Sequence, residues 1–192
     1  MLAFAAIPLM LGASAAAPQL VLLVLGPEWL AAAPVLTLLC IAGARETVFY
    51  ITQPLMRAKG AGKLIFRYEW LAALVQLSGI VIGLQFGVVG VAAGVLASGF
   101  VLTPVLLTIQ RMLTGVRIRE QLGRITPPLH ASLWGGAAYL LAARQFASPG
   151  WALAVGGLSY LSIVLAVLWL AHRAALVRAL TTTRDLLRPG AR

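Results

Sequence analysis

Charge is scarce in this chain, and acidic charge is scarcer still. Only 10% of its 192 residues are Asp, Glu, Lys or Arg, and five are acidic. Soluble domains carry roughly a quarter charged residues, whereas 61% of this chain is hydrophobic. A globule of this length cannot hide that much apolar surface, so lipid must serve as its solvent. Cysteine is nearly absent as well: Cys40 stands alone, which excludes an internal disulfide and a thiolate metal site. His130 and His172 are far apart, in or beside different apolar segments, and offer no metal-ligand spacing. With no carboxylate pair and no Ser-His-Asp set, neither an enzyme nor a cofactor is expected, and no metal site.

What charge there is sits in clusters. Arg57, Lys59, Lys63 and Arg67 form one group, and Arg111, Arg117, Arg119 and Arg124 a second. Arg173, Arg178, Arg184, Arg188 and Arg192 trail off the end. The net charge of +10 would suit a nucleic-acid binder, but these residues flank apolar runs and lack interleaved aromatics, so no nucleic acid is expected. Attraction to anionic membrane lipids explains the charge more simply. Each stretch between clusters is about twice the roughly 20 apolar residues that cross a bilayer once. Each must therefore cross and return, which puts every basic cluster on one side, and the positive-inside rule makes that side the cytoplasm. The expected fold is all-α, a polytopic bundle of about six transmembrane helices in the bacterial inner membrane.

Six spans follow in order. They cover about residues 2–25, 30–55, 68–86, 91–110, 129–146 and 151–171, with outer turns at Gly26–Trp29, Gly87–Gly90 and Ser148–Gly150. Both termini fall on the cytoplasmic side, although no Lys or Arg precedes span one, so downstream charge must orient it. Residues 13–17 resemble a signal-peptidase site, but the basic n-region is missing and the apolar run continues through Leu25, so a transmembrane helix is favoured over a cleaved leader. Trp29 and Trp151 at outer ends, with Trp70 and Trp169 near inner ends, match interfacial belts. Arg144, near the outer end of span five, can snorkel as an anchor.

Small residues mark the helix contacts. Gly79, Gly83 and Gly87 repeat every four residues on span three, and Gly90, Gly94 and Ser98 do so on span four. Such stripes let backbones approach closely in lipid.

Arg45 and Glu46 break the apolar pattern. Arg45 lies 12 residues before Arg57, roughly 18 Å up a helix and close to mid-membrane. A charge there costs at least about 2.5–3.5 kcal/mol on insertion scales, so it should face protein or water. Sequence neighbours point about 100° apart, which leaves the two poorly placed to neutralise each other. Glu46, Tyr50, Gln53 and Arg57 form one polar stripe, Pro54 should kink it near the inner end, and Gln76 can join a polar interior. Arg45 is the leading substrate-facing candidate, followed by Glu46, Tyr50, Gln53 and Gln76; a buried structural ion pair is the rival reading. Lys59-Gly-Ala-Gly-Lys63 is no P-loop, because Leu64 stands where Ser or Thr is needed and Arg57 where Gly is needed.

Three stretches carry a family resemblance. They are Leu23–Leu36 followed by Leu38-Leu39, Gln53–Lys63, and Phe86-Gly-Val-Val-Gly-Val-Ala-Ala-Gly. In order and spacing they resemble the C-terminal half of bacterial polysaccharide flippases of the multidrug/oligosaccharidyl-lipid/polysaccharide exporter superfamily. The likeness covers about residues 1–125. It implies two six-helix lobes around a central, often cationic cavity, which move an undecaprenyl-diphosphate-linked oligosaccharide to the outer leaflet by alternating access. Residues 1–128 correspond to the last four helices of the second lobe, 129–171 to two additional helices, and 172–192 to a basic cytoplasmic tail. On this reading the chain is a fragment whose partner is the missing N-terminal lobe. The alternatives are a non-transporting subunit packed against a partner protein, and a small parallel homodimeric exporter.

Overall fold

The structure is a computed structural model that describes residues 2–173, with side chains from residue 4 onward. Most of the basic tail therefore lies outside the described residues. The helices are α1 (Leu2–Ala15), α2 (Ala17–Val24), α3 (Ala33–Phe49), α4 (Thr52–Ala58), α5 (Gly62–Leu84), α6 (Gly87–Thr114), α7 (Ile118–Ala143) and α8 (Pro149–Ala171), with a 3₁₀ turn at Pro27–Ala32. The chain is a multi-pass, all-α membrane protein.

Proline punctuation shapes the first two spans. Span one is broken, not straight: α1 and α2 meet at 70°, where Pro18 opens α2. Span two starts in the 3₁₀ turn and breaks at Tyr50–Ile51 between α3 and α4. Pro54 has no N–H to offer the carbonyl of Tyr50, one turn back, and the helix is interrupted there, while Pro27–Ala58 remains one candidate span.

By length and hydropathy, four helical segments can cross a membrane, or up to five if the bent pair counts as one span. The expected count of about six is reduced by α7. It is long enough, but its N-terminal turns carry Arg119, Glu120 and Arg124 and it contains Pro127 and Pro128. These residues read as loop from the sequence; here they are helical, and the second basic loop shrinks to 115–117.

The helices lie as neighbours in the order α8, α7, α1, α3, α6, α5. Side-chain pairs fix their directions. Gly83 meets Gly90, Gly79 meets Gly94, and Ser98 Oγ donates to the Val75 carbonyl at 3.0 Å, so α5 and α6 are antiparallel. Gly135 lies under Tyr160 and Gly156 under Tyr139, so α7 and α8 are antiparallel too. The Arg45–Thr103 and Gln110–Thr52 bonds share one offset, which makes the α3–α4 segment run parallel to α6. Chain connectivity then brings Arg57, Lys59, Lys63, Arg67, Arg111 and Arg117 to the same end of the molecule.

The best-packed region is the α7–α8 seam with α1 against it. Tyr139 and Tyr160 fill it at 1% and 5% exposure. Tyr160 donates its hydroxyl to the Pro8 carbonyl at 2.6 Å, and Tyr139 to Gln19 Oε1 at 3.2 Å. Ser14 and Thr37 exchange hydroxyl-to-carbonyl bonds between α1 and α3. In hydrocarbon a buried hydroxyl needs such a partner, and these bonds pin helices whose apolar faces lipid would serve equally well.

Candidate functional site

Beside the interruption between α3 and α4 lies a cleft of about 720 Å³. Glu46, Tyr50, Gln53 and Arg57 line it along the α3–α4 side, with Tyr68 and Leu106 contributed from α5 and α6. The break leaves Tyr50 72% exposed. Below it, Gln53 donates from Nε2 to Glu69 on α5, while Arg57 Nη2 reaches Gln53 Oε1 at 3.5 Å. Gln110 Nε2 donates to Thr52 Oγ1 at 2.7 Å and ties α4 to α6. The short α4, too short to be stable alone, is thus held by polar bonds to both neighbours.

Arg45 is elsewhere. It does not line the cleft; it lies in the α3–α6 seam, where its Nε donates to Thr103 Oγ1 at 3.1 Å. Its guanidinium lies 5.2 Å from the Phe49 ring centroid, and its methylene stem passes the flat face at Gly99. The expectation that Arg45 and Glu46 cannot neutralise each other fails: they form an ion pair through Nη1 and Oε1. The 100° separation holds for the Cβ atoms, and the arginine stem is long enough to close it. The pair is lopsided, with Arg45's side chain 9% exposed and Glu46's 68% exposed. Arg45 Nη2 has no partner among the described residues.

Comparison with known protein families, curated proteins and solved structures finds no match to this chain. The site must therefore be read from its own chemistry. It is a largely apolar groove that carries a carboxylate and two phenols and ends in Arg57 at the basic end of the molecule.

The remaining sequence candidates divide. Gln76 is exposed on α5 and lies outside the cleft. Gly79, Gly83, Gly90, Gly94 and Ser98 meet in the α5–α6 seam, where a Cβ on any of the four glycines would strike the opposing helix or its turn. Gly87 does not join them: it begins α6 at φ +72°, with open space around its missing Cβ. Its role is the turn, a left-handed conformation that side chains resist.

Three features were missed by the sequence reading. Glu69 and Thr103 were unmarked, although a carboxylate is rare enough here that Glu69 could have been singled out. The two histidines, far apart in sequence, are brought together by the α7–α8 hairpin: His130 Nδ1 lies 3.3 Å from His172 Nε2. Trp134 donates its indole N–H to His130 Nε2 at 3.0 Å, which makes Nε2 the acceptor and leaves Nδ1–H to bond His172. Among the described residues no group of three or more potential metal ligands forms.

Proposed function

We propose that this chain takes part in moving a lipid-linked oligosaccharide across the bacterial inner membrane, as one portion of a two-lobe exporter of the polysaccharide flippase type. The observation that carries this reading is the cleft, where Glu46, Tyr50, Gln53 and Arg57 line a groove beside the α3–α4 interruption in an otherwise apolar chain. Irregular backbone at membrane depth is tolerated where it lines a cavity, and transporters place substrate sites at broken helices. The glycosyl part is assigned to the Glu46–Gln53 stretch and the diphosphate to Arg57. Arg45 is reassigned from substrate contact to holding Glu46. The basic end of the molecule is taken as cytoplasmic.

The test is binding by the purified chain in nanodiscs. An undecaprenyl-diphosphate-linked oligosaccharide should bind saturably, and Arg57→Gln should weaken it about tenfold, the loss of a charge-assisted contact. No binding by a folded protein discards the reading.

A second reading has its own observation. Helix α5 packs chiefly on α6, and an open apolar groove of about 760 Å³ lies along that pair, from Leu74 to Val101. A partner's helix seated there would make the chain a non-transporting subunit. Its purification alone as a folded, substrate-binding unit counts against that. A parallel homodimer is distinguished by its mass in the nanodisc.

A further inference from the structure

Building on the transport reading, we propose that the cleft selects a neutral or amino-substituted sugar and rejects an acidic one. The inference starts from the uneven burial of the Arg45–Glu46 ion pair. The cation is enclosed, with Arg45's side chain 9% exposed, and the carboxylate faces out at 68%. What a ligand meets at this level is therefore an anion backed by an enclosed cation.

The neighbouring groups fit the same chemistry. Glu46 is acceptor-only when ionised, and its outward lone pairs are open to a donor. Tyr50, one turn further on, presents a phenol ring and hydroxyl at 72% exposure. Gln53 is already engaged, donating to Glu69 and accepting from Arg57. Sugar hydroxyls and ammonium groups can donate to Glu46, and a sugar ring can lie against Tyr50. A uronic acid offers a carboxylate instead, which meets like charge at Glu46. Among the described residues that line the cleft the cation is Arg57, 11 residues on, or about 16 Å along a helix. The phosphates of a lipid-linked sugar then sit at the basic end, with the sugar running inward to the carboxylate.

The test uses the full chain in nanodiscs and four probes. These are undecaprenyl diphosphate alone and the same lipid bearing a neutral, an amino-substituted or a uronic-acid disaccharide. The neutral and amino forms should bind about tenfold or more tighter than the uronic form. Glu46→Gln keeps an acceptor for Arg45 and should raise uronic binding about tenfold, while Arg57→Gln weakens all four probes alike. Uronic binding equal to or tighter than neutral in the unaltered protein overturns the selectivity and leaves the transport reading standing. No gain of any disaccharide form over the bare lipid overturns both. The comparison on unaltered protein decides the matter even if the Glu46 variant does not fold.

Discussion

Arg45 and Glu46 face different solvents, and that difference decides what each substitution does. Arg45 is enclosed by Phe49, Gly99 and Thr103, whereas Glu46 reaches the cleft. Removing the carboxylate strands a desolvated cation, and a buried charge without its partner is what costs most. Removing the cation leaves a carboxylate that water can reach. Glu46→Leu should therefore destabilise the protein by about 2–3 kcal/mol, while Arg45→Met, which fills an apolar seam, stays within about 1 kcal/mol. Denaturant unfolding in micelles measures both. The reverse ranking would show that the cation, not the carboxylate, is what the seam depends on. The sequence singled the pair out, because charge inside an apolar run is rare, but it did not show the pairing itself. Helical angles locate Cβ atoms, and the geometry of a long arginine is set by the helix across the seam.

Among elements, the α5–α6 seam shows which glycines carry packing and which do not. A Cβ at Gly79 would meet the Gly94 carbonyl at 2.6 Å, and its neighbours along the stripe are as tight. Around Gly136 and Gly157 nothing lies within 4 Å. Gly79→Ala should cost about 1–3 kcal/mol, the range for overpacking a close contact. Gly136→Ala and Gly157→Ala should be neutral or stabilising by up to about 1 kcal/mol, because alanine is the better helix former. Thermal unfolding of the three variants checks this, and equal effects would show that helix propensity, not the seam, governs. The four-residue spacing made most of this seam readable in advance, since small residues in step have one structural use in lipid. Gly87 kept the spacing but fell past the helix end, where φ and not packing selects glycine. The start of α7 was hidden for the opposite reason: its arginines and Pro127-Pro128 carry loop signals that packing overrides. The His130–His172 contact depends on hairpin register, which no local pattern encodes.

At the scale of the whole molecule, direction and charge converge. The α3–α4 segment runs parallel to α6, and α5 runs against it, so the two basic clusters and the short connections that hold them gather at one end. The opposite ends of these helices carry the 3₁₀ turn with Trp29 and the Gln85–Phe86 turn. Such one-sided basic charge is what the positive-inside rule reads when a multi-pass protein is oriented in its membrane. Replacing Cys40, the chain's single cysteine, with serine leaves a background into which one reporter at a time can be placed. Cysteines at Gly60 and Gly115 should react with a membrane-impermeant maleimide only when the cytoplasmic face is open, as in inverted vesicles. Cysteines at Glu28 and Ser148 should react in intact cells with the outer face accessible. Gly60 and Gly115 labelling from opposite sides would break the parallel arrangement of α3–α4 and α6. Labelling of all four in the reverse sense would keep the fold and invert the membrane, placing Arg57 and the basic end of the cleft on the outer face and counting against the proposed transport of a cytoplasmic lipid-linked substrate.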